Sequence, residues 1–387
     1  MLYNDMERNA GYGTDTLSER IRARFLPDVN GLRMHTLEAG ADRDRPCVIL
    51  LHGFPEIAYS WRNVIVPLAE AGYHVVAPDQ RGFGRTTGWD GSYDGDLASY
   101  RMINRVRDVM GLVDALGRKS VAAVVGHDAG SPVAAWCALL RPDVFRAAVL
   151  MSAPFGGPPE LSSGEDMNIE EMNQALGRLS RPRKHYMWYY STRTANHNML
   201  SCPQGVHDFL RAYFHYKSAD WNGNEPRPLQ SWTAGQLANL PTYYIMDRHK
   251  GMAETVAPYM PSEEQIRSCQ WLPDEELRVY SSEYERTGFQ GGLQWYRCGI
   301  NSRYRRGLQV FAARTLDVPS AFIAGRRDWG VYQMPGVFER MQNIVCTDMR
   351  RCTLVEGAGH WVQQEAPDRV TELLRAFLDD SQESEQS

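Results

Sequence analysis

The feature that most constrains this chain of 387 residues is an acidic residue set between two glycines at the end of an apolar run. Residues 120–125 predict a strand and residues 131–140 an apolar helix, with Gly126, Asp128 and Gly130 at the junction. Glycines two positions either side of a central residue permit the strained strand–turn–helix connection called a nucleophile elbow. The sequence therefore predicts that Asp128 presents its carboxylate at the end of a buried strand.

An aspartate at the centre of such an elbow favours different chemistry from the more usual serine. A serine attacks a carbonyl and forms an ester, whereas an ionised aspartate can displace a group at a saturated carbon. The product is again an ester that water can cleave, but a serine that opened an epoxide would leave a stable ether. Asp128 therefore points to epoxides or alkyl halides as substrates, unless it is a turn residue with no chemical role.

Short apolar runs alternate with helical stretches on both sides of a long insertion. The runs predicted as strands are residues 23–26, 32–39, 47–51, 74–77, 120–125, 147–151, 320–324 and 352–355. The predicted helices are residues 61–71, 97–116, 131–140, 335–341 and 368–378. This alternation predicts an α/β fold with a mostly parallel, doubly wound sheet. An Asn30-Gly31 pair predicts a tight hairpin between the first two strands.

The sequence divides into a core interrupted by a cap. Residues 1–156, with a polar N-terminal arm, and residues 313–380 carry the β/α alternation, and residues 157–312 form an aromatic-rich, mainly helical insertion. Residues 381–387 are polar and are predicted to be a disordered tail. Because the chain shows no internal repeat or low-complexity linker, we expect the insertion to cover one edge of the sheet.

Two residues downstream of the elbow are candidates for the base that activates water and the acid that orients it. Asp328 directly follows the predicted strand 320–324, and His360 lies in the loop after the next strand. With Asp128 they follow the chain order nucleophile, acid, base. Because the carboxyl ends of parallel strands converge on one crevice, we expect the three side chains to meet there.

The turn after the predicted strand 47–51 can supply backbone donors for an oxyanion. It comprises residues 52–55, and its Phe54 N–H can point into the crevice, with the Ala129 N–H as a second donor. Pro55 is a candidate for a cis peptide bond. The simpler alternative is a tight turn in which the glycine and the proline serve only the backbone.

Tyrosines of the cap are candidates for the acid that protonates the leaving oxygen. Ring opening of an epoxide generates an alkoxide, which a positioned phenol can protonate. The cap offers Tyr186, Tyr189, Tyr190 and Tyr296, although a cap tyrosine more often serves packing. Since no two histidines show HExxH spacing, the sequence predicts no metal site.

Charge and cysteine content argue against several other classes of protein. With 42 Lys and Arg against 47 Asp and Glu, and with no basic stripe, the chain is not expected to bind nucleic acid. No apolar run suits a signal peptide or a membrane helix, so we expect no membrane insertion. Seven scattered cysteines without a CxxC pair predict reduced thiols and a cytoplasmic location. The oligomeric state is left open, with a homodimer as one option.

Several of these motifs together resemble the soluble epoxide hydrolase branch of the α/β-hydrolases. The resemblance extends over residues 30–380 and rests on HGFPE at residues 52–56, on residues 71–84 and on the elbow. Its most specific part is GFQGGLQWYR at residues 288–297. It implies the α/β-hydrolase fold and hydrolysis of an epoxide to a vicinal diol, with a small-molecule epoxide and water as partners and with no metal or organic cofactor.

The resemblance also implies roles for individual residues. The paired tyrosines of that branch match Tyr296 and, by context, Tyr186, with Tyr189 and Tyr190 as alternatives to Tyr186. The catalytic set that it implies is Asp128, Asp328, His360, Tyr186 and Tyr296, with Phe54 and Ala129 as the oxyanion donors. The side chains expected to line the substrate pocket are His52, Pro55, Met187, Tyr190, Trp295 and Trp361.

Two departures from that pattern leave the substrate open. The branch commonly has tryptophan after the nucleophile, whereas this chain has Ala129, and residues 195–280 match poorly and are enlarged. A haloalkane or haloacid dehalogenase of the same fold is the nearest alternative. Such an enzyme needs N–H donors for the departing halide, usually a tryptophan or an arginine where Ala129 stands. A non-catalytic protein that holds a small hydrophobic ligand is a further alternative, which the complete acid–base set disfavours.

Overall fold

A sheet of eight strands organises the part of the chain that this computed structural model describes, namely residue 12, residues 15–161 and residues 169–386. Two further strands form a separate antiparallel ladder in the insertion. In chain order the strands are Arg22–Val29 (β1), Leu32–Ala39 (β2), Cys47–Leu51 (β3), His74–Pro78 (β4), Ala123–His127 (β5), Ala148–Met151 (β6), Arg183–His185 (β7), Ile245–Asp247 (β8), Ser320–Gly325 (β9) and Met349–Val355 (β10).

The sheet is mostly parallel, with the strand order β1-β2-β4-β3-β5-β6-β9-β10. β2 runs antiparallel to both of its neighbours, and the remaining adjacent pairs are parallel. The strands from β3 to β6, and β9, are buried along their whole length. Burial on both sides is expected of a parallel sheet covered by helices on each face. The prediction of a mostly parallel α/β sheet is therefore confirmed.

Helices cover the sheet and build most of the insertion. The helices before the insertion are Arg62–Glu70 (α1), Met102–Ala115 (α2) and Gly130–Leu140 (α3). Those between β6 and β9 are Ile169–Gly177 (α4), Tyr186–Tyr190 (α5), Ala195–Leu200 (α6), Gly205–Lys217 (α7), Ala234–Leu237 (α8), Met252–Val256 (α9), Glu263–Ser268 (α10), Asp274–Thr287 (α11), Gln290–Ile300 (α12) and Ser302–Gly307 (α13). The last three are Val337–Arg340 (α14), Val362–Glu365 (α15) and Pro367–Gln386 (α16). Short 3₁₀ or π turns add Ala58–Trp61, Leu97–Tyr100, Ala257–Tyr259, Gln309–Phe311, Trp329–Val331 and Met341–Val345. None of the described helices is long and apolar enough to cross a bilayer.

Several predicted elements have different bounds in the structure, among them one helix and one strand before the insertion. The predicted helix 97–116 is interrupted at Arg101, whose backbone is extended, so that a 3₁₀ turn precedes α2. Asp96 caps this turn by accepting from the Ala98 amide. The predicted strand 120–125 is shifted, since β5 begins at Ala123 and the preceding residues form only an isolated bridge.

The predicted disordered tail at residues 381–387 is wrong for the part that is described. Helix α16 continues through residue 386. The Ser381 hydroxyl is buried and donates to the Phe377 carbonyl at 2.7 Å. The Gln382 amide bonds to the Tyr73 hydroxyl at 3.3 Å. The polar composition of this segment therefore conceals one hydrogen bond within the last helix and one that connects it to the core.

The N-terminal arm contributes a buried side chain to the core. Tyr12 is 4% exposed and donates to Asp79 Oδ1 at 2.7 Å. Asp79 also bonds to the His35 ring at 2.8 Å and accepts from two backbone amides. Burial alone would raise the pKa of Asp79, but His35 and these donors lower it to about 2. Residues 1–11 and 13–14 of the predicted arm lie outside the described residues.

The insertion lies against the core through helix α12. A Cβ atom at Gly291 would stand 2.0 Å from the Gly82 carbonyl oxygen, so only glycine permits this approach. At another point Arg62, a buried core residue, donates to the Trp271 carbonyl at 2.9 Å and pairs with Glu276. The limits predicted for the insertion, residues 157 and 312, fall in connecting segments between β6 and β9.

Candidate active site

The elbow places Asp128 at the carboxyl end of β5, where the chain turns into α3. Its backbone φ is +49°, a strained left-handed conformation for a residue other than glycine. A Cβ atom at Gly126 would lie 2.2 Å from the Gly130 carbonyl oxygen, and one at Gly130 would lie 2.6 Å from two core carbonyls. Both positions therefore require glycine. The turn leaves the Asp128 side chain 15% exposed.

Asp128, His360 and Asp328 meet at the carboxyl edge of the sheet. His360 Nε2 lies 3.3 Å from Asp128 Oδ2, and His360 Nδ1 lies 2.9 Å from Asp328 Oδ1. Asp328 also accepts from the Gly330 amide at 2.6 Å, which fixes the carboxylate that orients the imidazole. The structure thus brings together the three side chains that the sequence predicts to meet. A carboxylate and an imidazole held in this way can act as a nucleophile and a general base.

The buried charges of this cluster shift the pKa values of its members. Burial alone would raise the pKa of Asp128, but the hydrogen bond and the charge of His360 outweigh burial and lower it well below its usual value. Burial likewise favours a neutral imidazole, but the charge of Asp328 and the hydrogen bonds to both aspartates raise the pKa of His360 to about 9. At pH 7 Asp128 is therefore ionised and His360 is protonated.

Lys217 is a buried cation beside this cluster that no sequence motif indicates. Its side chain is 3% exposed, and its backbone carbonyl accepts from the His360 amide at 3.0 Å. Its ammonium lies between 5.1 and 5.7 Å from the ring centroids of Tyr213, Tyr243, Tyr244 and Trp361. The charges and hydrogen bonds within the cluster are the larger causes of its pKa shifts. The Lys217 charge adds to them and acts to lower the pKa of His360 and of both aspartates. Lys217 therefore offsets part of the negative charge that keeps His360 protonated.

The turn after β3 aims one backbone donor at Asp128. The Phe54 amide donates to Asp128 Oδ1 at 3.0 Å, and the Phe54–Pro55 peptide bond is cis. Ala129, the second predicted donor, immediately precedes α3. Among the described contacts, its amide makes no hydrogen bond to the Asp128 carboxylate. A negative charge that develops on the carboxyl oxygen thus has the Phe54 donor already in place.

A buried chain of hydrogen bonds supports the His360 loop from within the core. His127 lies 2.8 Å from the His360 carbonyl through Nε2 and 2.6 Å from Glu56 Oε2 through Nδ1. The other Glu56 oxygen accepts from Gln363 at 2.8 Å. Glu56 ends the HGFPE motif, so the sequence does draw attention to it. Its function could not be inferred, because its partners lie 71 and 307 residues away.

Glu365 holds the same loop from its other side. Its carboxylate accepts from the amides of Gly359 at 2.8 Å and Trp361 at 2.9 Å, which flank His360. It also accepts from the Ala219 amide at 2.8 Å, in the insertion. Burial raises the pKa of Glu365 to about 7 in spite of these donors. The His360 loop is therefore tied both to the core and to the insertion.

Two tyrosines of the insertion pack against each other within the electrostatic influence of Asp128. The rings of Tyr186 and Tyr296 have centroids 5.8 Å apart and an interplanar angle of 75°. Burial, and then the charge of Asp128, raise the pKa of each phenol well above its ordinary value. Both hydroxyls therefore keep their protons at neutral pH. Like Asp128, both residues retain some exposed surface.

The two alternative tyrosines are held by other contacts. Tyr190 is fully buried and its hydroxyl donates to the Tyr213 hydroxyl at 3.4 Å. Tyr189 is also buried, and the Lys184 ammonium lies 4.8 Å from the centroid of its ring. These contacts favour Tyr186 as the partner of Tyr296.

Two residues beside Tyr186 were not indicated by the sequence. The Tyr186 hydroxyl donates to Gln333 Oε1 at 3.1 Å, in the segment that follows Asp328. The Tyr244 ring centroid lies 5.1 Å from that of Tyr186, and its buried hydroxyl has no hydrogen-bond partner among the described groups. The nearness of Gln333 to the predicted acid, five residues before it, is weak evidence in the sequence that it belongs to the site. Tyr244 lies in region 195–280, which matches the family pattern poorly, so no motif pointed to it.

Two residues predicted to line the pocket instead hold the framework. Both ring nitrogens of His52 are engaged, Nδ1 by the Gly53 carbonyl at 2.8 Å and Nε2 by the Gln80 amide at 3.1 Å. Trp295 is 5% exposed and donates to the Arg81 carbonyl at 2.9 Å. Neither side chain has a free polar group to offer a ligand, so a ligand contact by either would have to be made by the faces or edges of its ring. A residue of a motif near the elbow can therefore stabilise the backbone through hydrogen bonds.

The other four predicted lining residues lie near the site but differ in exposure. The Trp361 ring centroid lies 4.6 Å from that of His360, and its Nε1 donates to the Phe214 carbonyl at 2.9 Å. Pro55 and Tyr190 are buried, whereas Met187, next to Tyr186 on α5, keeps some exposed surface. Of these four side chains, Met187 alone is not buried.

Comparison with known proteins identifies the family to which the chain belongs. The family described as alpha/beta hydrolase fold matches residues 46–367. Epoxide hydrolase A of Mycobacterium tuberculosis is 32% identical over 355 residues, which cover 91% of this chain and 96% of that protein. The structure of an epoxide hydrolase from an endophytic Streptomyces has a TM-score of 0.76 and 31% identity, covering 94% of this chain and 96% of the other. That of epoxide hydrolase A from Mycobacterium thermoresistibile has a TM-score of 0.73 and 32% identity, covering 93% and 98%. The sheet, the acidic elbow and these relatives together show that the chain belongs to the epoxide hydrolase branch of the α/β-hydrolase superfamily.

Proposed function

We propose that this protein hydrolyses an epoxide to a vicinal diol through a covalent ester on Asp128. The observation that supports this best is the Asp128 carboxylate 3.3 Å from His360, together with the rings of Tyr186 and Tyr296, which lie 5.8 Å apart and whose pKa values are raised in part by the Asp128 charge. Opening an epoxide requires a nucleophile at a ring carbon and an acid at the ring oxygen. This arrangement offers both, and two phenols suit an alkoxide better than a departing halide.

Ring opening begins when a carboxylate oxygen of Asp128 attacks a ring carbon. The new C–O bond forms as the ring C–O bond breaks, and the ring oxygen takes a proton from Tyr186 or Tyr296. For this step the Tyr186 hydroxyl turns from Gln333 to the substrate. Because the pKa values of both phenols are raised, their protons are still present when negative charge develops on the ring oxygen.

Formation of the ester changes the electrostatics of the site. Asp128 loses its charge, so His360 keeps one charged carboxylate partner, Asp328, while the Lys217 ammonium is unchanged. The change lowers the pKa of His360, since a charged partner within hydrogen-bond reach has been neutralised. The proton that His360 releases can restore the phenol that protonated the ring oxygen. The base needed for the second step thus becomes available only after the first step.

Water then attacks the carbonyl carbon of the ester. His360 Nε2, which faces Asp128, accepts a proton from this water, and Asp328 stabilises the imidazolium. The Phe54 amide, with the Ala129 amide as second donor, stabilises the oxyanion. Collapse of the tetrahedral intermediate breaks the bond to the alkyl oxygen, which takes the remaining proton of the added water and leaves as the diol. Asp128 is again ionised, carries the solvent oxygen, and faces a protonated His360 as at the start. None of these steps requires a cofactor.

The most direct test is to trap the ester. His360→Gln keeps a polar side chain but cannot act as a base, so it should be alkylated and then stall. Intact-mass spectrometry after mixing with styrene oxide should show protein heavier by one substrate, with the added mass on the peptide that contains Asp128. In the wild-type protein, a single turnover in ¹⁸O-water should give unlabelled diol and label on Asp128.

His207→Gln is the matched control for this experiment. His207 also pairs with an aspartate, Asp274, at 2.9 Å, but it is partly exposed and lies in the insertion. This variant should turn over normally and should gain no mass. Absence of a mass gain in His360→Gln, together with ¹⁸O in the diol of the first turnover, would mean that water attacks the epoxide directly.

A further inference from the structure

A second cavity lies at the junction between the core and the insertion. Its volume is about 300 Å³, and none of the side chains that face Asp128 belongs to its lining. The core side is formed by α2 and by Arg101, which precedes it. The other side is formed by α12, α13 and Leu308. Apolar groups such as Met102, Ile103 and Cys298 make up much of its wall, together with three arginines, Arg101, Arg105 and Arg305.

Arg105 is the unusual residue of this cavity. It is 8% exposed, and its guanidinium carbon lies 4.3 Å from the Trp295 ring centroid. Its Nε is buried without a hydrogen-bond partner, and among the described residues no carboxylate pairs with its guanidinium. Burial lowers the pKa of Arg105 to about 10. A buried cation with unused donors is costly, so the site would be stabilised by an anion.

The carboxylate whose charge acts on Arg105 is already committed to other partners. Asp108, one turn further along α2, accepts from Arg81 Nε at 2.8 Å and from Arg81 Nη2 at 2.7 Å. It also accepts from the Asn30 amide at 2.6 Å. Since Arg101 and Arg305 add further positive charge to the cavity, the site selects an anion rather than a cation.

We propose that this cavity binds a medium-chain amphipathic monocarboxylate. The carboxylate accepts hydrogen bonds from Arg105, a geometry that guanidinium groups favour. The alkyl chain lies along Met102 and Leu308 toward Ile103, which is 37% exposed at the mouth. A volume of about 300 Å³ is at the small end of ligand pockets, which favours a medium chain over a long one. Because α12 carries both Cys298 of this wall and Tyr296, occupancy would also stabilise the contact of that helix with the core.

Isothermal titration with octanoate tests this site. The wild-type protein should bind octanoate, and octanol or acetate should each bind roughly 10- to 100-fold more weakly, because each lacks one half of the recognised chemistry. Arg105→Met keeps an apolar stem but removes the donors, so it should weaken octanoate binding by roughly the same factor. Arg107→Met is the matched control, an exposed arginine on the same helix, and should bind octanoate as the wild type does.

A second variant keeps the test decisive if Arg105→Met does not fold. Ile103→Glu adds a negative charge at an exposed position of the mouth and should also weaken octanoate binding. Lack of binding to the wild type at millimolar octanoate would overturn the proposal, as would unchanged binding to both variants. Binding that Ala129→Trp abolishes and Arg105→Met leaves unchanged would place the anion beside Asp128, which also overturns it.

Discussion

The core half of the active site is charged and richly hydrogen-bonded, whereas the half contributed by the insertion is aromatic and sparsely bonded. Asp128, His360 and Asp328 are held by contacts of 2.6 to 3.3 Å to one another and to backbone amides. Tyr186 has one side-chain hydrogen bond, to Gln333, and the Tyr296 ring packs against other rings. The two halves therefore meet different chemical demands.

A fixed arrangement suits the groups whose charges change during the reaction. Donors and acceptors that are already oriented need no reorganisation when charge moves from the carboxylate to the oxyanion. The phenols have the opposite requirement, because they must turn toward an oxygen whose position depends on the substrate. We infer that the core determines the reaction type and that the insertion determines which epoxide is accepted.

The largest effect is expected for Asp128→Asn, which removes the nucleophile from the core half. The amide is nearly isosteric, so the fold should be retained, and diol formation should fall by roughly 10⁴-fold or more. Circular dichroism checks the fold, and chromatography of the diol measures the rate. A loss of less than tenfold would mean that the insertion carries the chemistry, and the division between the two halves would fail.

Removal of the phenols should have the next largest effect. Tyr296→Phe and Tyr186→Phe delete only a hydroxyl, and each should slow ring opening by roughly 10²- to 10⁴-fold. Tyr190→Phe is the matched control, since Tyr190 is a buried tyrosine of the same helix as Tyr186 and bonds to Tyr213. Single-turnover rates of epoxide consumption separate this step from ester hydrolysis. If Tyr190→Phe proves as slow as Tyr186→Phe, the assignment of the second tyrosine is wrong.

The contrast between the two halves also explains what the sequence could predict. The strands, the elbow and the order of Asp128, Asp328 and His360 follow from local patterns, because parallel strands bring their carboxyl ends to one edge. The left-handed backbone at Asp128 follows from the two flanking glycines. Each part of the core half was therefore predictable from a short motif, and the general geometry of parallel sheets predicted that the parts meet.

The rest of the site depends on contacts between distant segments. Glu365 is recognisable only through the amides of its loop and of Ala219. Lys217 is recognisable only through four rings, namely Tyr213 on its own helix, the neighbours Tyr243 and Tyr244, and Trp361. Tyr244 lies in a segment that matched no motif. His52 shows the converse limit, since its position in a motif suggested ligand contact while its ring bonds to the backbone.

Lys217→Met tests whether a residue outside the hydrogen-bonded cluster tunes its base. Because the Lys217 charge opposes protonation of His360, the variant should raise the pKa of His360 and slow ester hydrolysis at neutral pH, with recovery at higher pH. Alkylation of Asp128 should change little. Lys250→Met, at an exposed lysine that pairs with Asp247 at 3.6 Å, is the control for loss of a positive charge. An unchanged pH profile of ester hydrolysis would show that Lys217 serves packing alone.

Folding stability provides a second measurement on the same variant. The pKa of His360 is raised in the folded protein, so its ion pairs stabilise the fold below the unfolded pKa, and this contribution is lost as the pH rises through about 9. In Lys217→Met this loss should move to a higher pH. Urea titrations across that range would detect the shift, and Lys250→Met should follow the wild type.

The smallest effect is expected for Gln333→Leu, which removes the one side-chain hydrogen bond that Tyr186 makes to the described residues. Since Tyr186 keeps some exposed surface, water can replace the lost acceptor, and the free energy of unfolding should fall by only about 1 kcal/mol or less. The epoxide would no longer compete with Gln333 for the hydroxyl, so KM should fall several-fold while kcat changes little. Gln342→Leu, which loses a bond to the Phe338 carbonyl, is the control. A large loss of kcat in Gln333→Leu would instead mean that Gln333 holds Tyr186 in its productive orientation. The insertion half would then be as firmly fixed as the core half, and substrate choice would have to depend on the shape of the pocket rather than on mobile phenols.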